Sequence, residues 1–301
     1  MKKTIAYLLL LILFFVLLVN AAFSQTGQSA VPLGVTGVPM YAVGANGDLL
    51  WYSHQGFQDG SNSWANRRAA KKVGEGWALS TQIFKGNPRG VDKEEGIIYR
   101  VDTNGDLYWY KHTGYSNGSL NWVEGKRVGV GWKAKHVFAG GGGIIYLIDD
   151  KGDLYWYKHL GYQSGAFSWA NDARGKKIAD GTNVDLRTGR NIAIEWQTAR
   201  FVFSGGEGVI YLIDDKGDLY WYKHVGFRDG AESWQGRKRI SRGWQDLRQV
   251  FSGGNGIIYT VKNDGTLSWY KHTDSASGGI SWENNATARR IAHNWLFNFV
   301  F

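Results

Sequence analysis

Short runs in which apolar and polar residues alternate recur along the chain: IIYRVD from residue 97, IIYLID from 144, VIYLID from 209 and IIYTVK from 257. Period-two alternation rich in Ile, Val and Tyr predicts half-buried strands rather than helices. A turn follows each run, at Asn104-Gly105, Lys151-Gly152, Lys216-Gly217 and Asp264-Gly265, and the first copy has its own at Asn46-Gly47 after VPMYAV. Glycine there supplies the positive φ of a tight hairpin. A second strand follows, LLWYSH, LYWYKH or LSWYKH, then a Gly-rich loop. A tryptophan next opens a basic strand such as WVEGKRVG, and a run such as KHVFAGG, RFVFSGG or RQVFSGG closes the unit.

All fifteen tryptophans fall into this unit, three per copy. The first are Trp51, Trp109, Trp156, Trp221 and Trp269. The second follow thirteen residues later, at Trp64, Trp122, Trp169, Trp234 and Trp282, and the third are Trp77, Trp132, Trp196, Trp244 and Trp295. Self-similarity near 48 residues marks a repeat architecture. Four short strands per repeat describe a propeller blade. The first unit lacks a VFSGG-type strand, and the last residues, Phe297 to Phe301, match it. The expectation is an all-β fold: a five-bladed β-propeller of four-stranded antiparallel blades, closed by a C-terminal strand that completes the first blade and removes two sheet edges. It should occupy residues 37–301, with repeats starting near 37, 96, 143, 208 and 256. Two copies carry insertions, 85–95 and 182–195, placed at blade turns where extra length costs little.

Residues 1–24 combine two lysines, an apolar run from Ile5 to Val19 and small residues beyond it. They read as a secretory signal peptide followed by a short linker, 25–36, with an uncleaved anchor as the alternative. A secreted or periplasmic protein is expected, without a membrane span after cleavage. There is no cysteine, so neither disulfides nor a lipoprotein anchor can form. About 277 mature residues rich in aromatics must supply the core, in what is expected to be a monomeric ring.

The formal charge is +9. Its positive part clusters after each second tryptophan: Arg67, Arg68, Lys71 and Lys72; Lys126 and Arg127; Arg174, Lys176 and Lys177; Arg237, Lys238 and Arg239; Arg289 and Arg290. One reading is a basic belt for anionic partners. The other, which recurrence on every outer strand favours, is that Lys and Arg block edge pairing. Export argues against a nucleic-acid partner.

Catalysis generally needs one asymmetric constellation, and this chain repeats the same polar groups in each unit. His54, His112, His159, His224 and His272 occupy equivalent strand ends, too far apart to share a metal, and read as surface residues. The DDKGD runs at Asp149 and Asp214 lack the length and closing Glu of an EF-hand loop and read as hairpin turns. The expectation is therefore no catalytic residue, no metal and no cofactor. A repeated indole is different, because its flat face packs on the C–H face of a sugar. Weak shallow sites multiplied around a ring gain avidity. The first tryptophan alternates as a core residue does; the second and third flank loops, as rim positions would.

The stretch SWANRRAAKKVGEGW with Gln82-Ile83-Phe84, and the Tyr-Lys pairs Tyr110-Lys111, Tyr157-Lys158, Tyr222-Lys223 and Tyr270-Lys271, resemble the tachylectin-type five-bladed propeller lectins. The resemblance covers about 37–301. It implies N-acetylated hexosamines (N-acetylglucosamine or N-acetylgalactosamine) bound at equivalent sites between adjacent blades, without catalysis. Carried over, it points to the second and third tryptophans of each unit: Trp64, Gly76 and Trp77; Trp122, Gly131 and Trp132; Trp169 and Trp196; Trp234, Gly243 and Trp244; Trp282 and Trp295. The family's acidic-Asn pair before the second tryptophan is mostly replaced, and Glu195 and Asn294 stand where its glycine precedes the third. The expected function is a secreted multivalent lectin. The alternatives are a propeller scaffold for protein interaction or adhesion and, behind it, a glycoside hydrolase.

Overall fold

The computed structural model describes residues 37–86, 95–185, 190–193 and 195–301. The expected leader and linker, 1–36, and most of the first insertion lie outside the described residues. Strands β1 (Val38–Val43), β2 (Leu49–His54) and β3 (Lys71–Gly74) belong to the first blade. Blade 2 is β4 (Ser80–Lys85), β5 (Ile97–Asp102), β6 (Leu107–His112) and β7 (Trp122–Gly129). Blade 3 is β8 (His136–Gly141), β9 (Ile144–Ile148), β10 (Leu154–Lys158) and β11 (Lys176–Ala179). A separate hairpin, β12 (Thr182–Asp185) and β13 (Arg190–Ala193), occupies the second insertion. Blade 4 is β14 (Phe201–Gly206), β15 (Val209–Ile213), β16 (Leu219–His224) and β17 (Trp234–Ser241). Blade 5 is β18 (Leu247–Gly254), β19 (Ile257–Lys262), β20 (Leu267–Lys271) and β21 (Arg289–Ala292), and the chain ends in β22 (Phe299–Val300).

Each blade is a four-stranded antiparallel sheet, and the five form a propeller. The first blade has the order β22-β1-β2-β3, so the C-terminal strand closes the ring as expected. Val300 pairs with Ala42 and Phe299 with Val43. The Tyr41 and Phe301 amides each donate to the other's carbonyl, at 2.9 and 3.0 Å, and their rings stack at 5.5 Å. Innermost strands from all blades surround a channel of about 540 Å³. The hairpin turns form as the sequence predicts: Gly152 has φ +85°, and the Asp149 carboxylate accepts from the Lys151 and Asp153 amides at 2.9 Å.

Packing between blades explains the repeated aromatics. The first tryptophans are core: Trp109, Trp221 and Trp269 are fully buried. Each indole N–H donates to a loop carbonyl of the next blade, as Trp109 does to Tyr162 at 2.6 Å and Trp221 to Ser275 at 2.8 Å. A loop glycine lies flat on that indole. At Gly278 (φ +67°) a Cβ would come within 2.4 Å of Trp221, so only glycine fits.

The histidines are not surface residues. All five at the equivalent positions are fully buried. The ring Nδ1 of His112, His159, His224, His272 and His54 lies 2.8–2.9 Å from the hydroxyl of Tyr41, Tyr99, Tyr146, Tyr211 and Tyr259, each on the preceding blade. Nε2 faces a backbone carbonyl, such as that of Ser119 at 2.7 Å from His112. A carbonyl only accepts, so Nε2 carries the proton and Nδ1 accepts from tyrosine. Burial holds these imidazoles neutral, with the His54 pKa pushed down to about 4. Strand-end position suggested exposure, but the partner that buries each ring arrives from another repeat.

Candidate inter-blade clefts

Toward the outside of each junction the second and third tryptophans meet. The pairing is not the one within a unit that the sequence suggested. The third tryptophan of one blade faces the second of the next: Trp77 with Trp122 at 6.3 Å, Trp132 with Trp169 at 5.5 Å, Trp196 with Trp234 at 6.1 Å, Trp244 with Trp282 at 6.1 Å, and Trp295 with Trp64 at 5.7 Å. The tyrosine of the next blade's WY strand completes a three-ring cluster, as Tyr110 does 4.8 Å from Trp77 and Tyr52 does 4.7 Å from Trp295.

The two indoles are held differently. The third tryptophans are buried, and four donate a backbone N–H to the hairpin glycine of their own blade, Trp77 to Gly47 and Trp244 to Gly217 at 3.0 Å, Trp132 to Gly105 and Trp295 to Gly265 at 2.9 Å. They form the floor rather than the rim that their loop position suggested. The second tryptophans are half-buried, apart from Trp64, which is 9% exposed. Their indole N–H bonds to the outer strand of the preceding blade: Trp122 to the Val73 carbonyl at 2.7 Å, Trp169 to Val128 at 2.7 Å, Trp234 to Ile178 at 2.9 Å, Trp282 to Ile240 at 3.2 Å, Trp64 to Ile291 at 3.2 Å. One face of each lies on the buried histidine, 4.3 Å between centroids for Trp122 and His112. The position is fixed, and part of the second indole remains open in Trp122, Trp169, Trp234 and Trp282, whereas Trp64 is covered. Gly76, Gly131 and Gly243 have φ of +79°, +76° and +89°, with open space where a Cβ would point, and Asn294 takes the same conformation at φ +65°.

Between blades 4 and 5 the arrangement encloses a cleft of about 640 Å³. Arg239, Ile240 and Ser241 of the outer strand and Arg242 just after it line one side, and Ile280, Ser281, Trp282, Asn285 and Ala286 the other. Asn285 and Ala286 lie in a feature the sequence reading missed, a turn of left-handed residues after the second tryptophan. It occurs in blades 1, 3 and 5, with Asn66, Asn171 and Asn284 at φ +53° to +55°. Asparagine tolerates this conformation better than most residues. The signal was in the spacing: thirteen residues separate Trp64 from Trp77 and Trp282 from Trp295, but ten separate Trp122 from Trp132 and Trp234 from Trp244. In the latter two blades the strand runs straight from its tryptophan, as β7 and β17.

Much of the basic belt has partners within the fold. Lys71, Lys126, Lys176 and Lys238 sit over the first tryptophan of their blade at 5.2–5.8 Å and donate to a loop carbonyl of the next. Lys72, Arg127, Lys177 and Arg239 bond the hairpin carboxylates Asp48, Asp106, Asp153 and Asp218 at 2.7–3.2 Å. Among the described residues no group of His, Asp and Glu could hold a metal ion, and no helix is long and apolar enough to cross a membrane.

A family model described as Tachylectin matches residues 29–185 and 179–300. No curated protein matches the chain. Among solved structures it is similar to "COPII on membranes, outer coat vertex", at 8% identity and TM-score 0.41, with 82% of this chain and 57% of that one covered. It is similar to Sqt1 of Chaetomium thermophilum bound to the N-terminus of ribosomal protein L10, at 15% identity and TM-score 0.36, covering 84% and 58%. It is also similar to the glutaminyl cyclase of Myxococcus xanthus, at 11% identity and TM-score 0.35, covering 81% and 73%. The chain thus spans less than two thirds of the first two, and overlaps this slight carry no conclusion about it.

Proposed function

The chain belongs to the Tachylectin family, and from that premise we propose that it is an exported, multivalent carbohydrate-binding protein without catalytic activity, whose sites are the inter-blade clefts. The observation that carries the reading is the cleft built on Trp282, with its three-ring aromatic floor repeated at every junction. A pyranose stacks its C–H face on the exposed part of the second indole. Exposed backbone at the glycine before the third tryptophan, and the Ser or Asn before the second, offer polar groups to its edge. N-acetylated hexosamines suit such a site, since an acetamido methyl has apolar side chains such as Ile280 to meet. Repetition around the ring then converts shallow affinity into avidity.

A second reading has an observation of its own. Leu120, Phe167 and Ile280, two residues before the second tryptophan in three blades, are more than 70% exposed, as a protein-docking rim would be. A glycan array on the protein, with free N-acetylhexosamine as competitor, separates the two. Selective, competable binding is expected; equal binding to all glycans would leave the scaffold reading, and turnover of a bound glycan would show an enzyme.

A further inference from the structure

The junction where the ring closes, between blades 5 and 1, differs in charge from the other junctions. At those four, the outer-strand cation is bonded to a hairpin aspartate. Two of them add a second acid: Lys72 also meets Glu75, and Lys177 also meets Asp180. In blade 5 the hairpin reads Gly265-Thr266, so Arg290, which pairs in register with Ser268, has no aspartate to bond. The remaining turn carboxylate, Asp264, accepts from the Thr266 amide at 2.8 Å. Arg290 makes no ion pair among the described residues.

The opposite wall is cationic as well. The blade 4–5 cleft is lined there by Asn285 and Ala286, three and four residues after Trp282. The same steps from Trp64 reach Arg67 and Arg68, held in the left-handed turn. Arg68 acts electrostatically on Tyr52, a member of the three-ring floor. Trp64 is anchored on the Ile291 carbonyl, next to Arg290, so both walls meet at one indole. His293 stands where Arg242 lines the neighbouring cleft. Phe297 also packs here on Trp295 at 5.6 Å and on Tyr52 at 6.2 Å, and Tyr52, Trp64 and Trp295 are all buried.

We propose that this ring-closing junction takes an anionic sugar unit, one bearing a carboxylate or a sulfate, with the anion between Arg67, Arg68 and Arg290 at the rim above the buried Trp64. Guanidinium groups match both anions by paired, charge-assisted hydrogen bonds. The inference rests on the carbohydrate-binding reading and adds a different ligand class for one cleft. The repeat pattern explains how it arises: with threonine in place of the turn aspartate, blade 5 leaves free the cation that the other blades neutralise.

The test is calorimetry on the protein with N-acetylglucosamine, its 6-sulfate, glucuronic acid and sodium sulfate. One site per chain should take the sulfated or the uronic sugar about tenfold more tightly than the neutral one. That preference should fade with added salt, since exposed charges are screened. The double variant Arg67→Gln/Arg290→Gln should lose the preference, and the control Lys133→Gln should keep it. If the double variant melts early, each single variant should lose part of it. Neutral and anionic sugars bound equally would overturn this inference and leave the lectin reading standing. Sodium sulfate displacing the sulfated sugar at equal concentration would show a bare anion site, which also overturns it. Binding of no saccharide at all would remove both.

Discussion

At the inner end of each junction a tyrosine meets a histidine in the same geometry whether the pair is Tyr41 and His112 or Tyr211 and His272. At the outer end, Leu120, Phe167, Glu232, Ile280 and Asn62 stand at one equivalent rim position, and Glu75, Val130, Arg242 and His293 at another. The inner groups are buried and bonded on every side, so a change there leaves a polar group orphaned or a ring unpacked. The outer groups face solvent above a common aromatic floor and vary at little cost. Scaffold and proposed recognition surface are therefore separable within one blade, a few residues apart in sequence.

Opening the ring should have the largest effect. Deleting Phe297–Phe301 bares the edge of β1 and removes the buried Val300 and Phe301. Denaturant unfolding should show a loss of several kcal/mol or no cooperative transition; an unchanged midpoint would mean that closure contributes nothing. Next comes Trp221→Ala, which empties a fully buried site and frees the Gly278 loop, at a cost of about 3–5 kcal/mol. Saccharide binding should persist wherever the variant remains folded, which sharpens the separation.

Acid probes the inner latches together. Unfolded histidine titrates near 6.5, and burial lowers all five latch histidines, His54 to about 4. A depressed folded pKa means that the unfolded chain binds the extra proton. The stabilisation is therefore complete above pH 6.5 and is lost as pH falls toward 4. His54 alone should account for about 3 kcal/mol across that window. Melting temperature should drop between pH 7 and 5, and Tyr146→Phe should already be less stable at pH 7. A melting temperature flat over that range would contradict the buried neutral tautomer. Trp234→Ala should be mildest, costing about 1–2 kcal/mol of stability because this indole is half-buried. It should also remove one stacking platform, weakening its own cleft by roughly 1–3 kcal/mol. Trp234→Ala and Trp221→Ala behaving alike in both assays would erase the distinction.

Blade number, strand order and closure were legible because each depends on local pattern: alternation at IIYLID, a glycine at the turn, and a terminal FNFVF that fits the missing strand. Pairings between blades were not. Tyr146 lies 78 residues before His224 in the chain, and nothing local to His224 announces a partner that buries it. The first tryptophans read correctly as core, but the third, expected at the rim beside the second, are buried as a floor. That depends on which neighbour supplies the second ring. The left-handed turns could have been found from the ten-against-thirteen spacing, and the unpaired Arg290 from the one hairpin that reads Gly-Thr.

The central claim, that the repeated outer clefts are the recognition surface, is met most directly by a crystal structure of the protein soaked in N-acetylglucosamine. Sugar rings packed on the second tryptophans, including Trp282 in the cleft between blades 4 and 5, are the expected result. Density confined to the central channel beside His136, Phe201 and Gln249, with every cleft empty, would contradict the account.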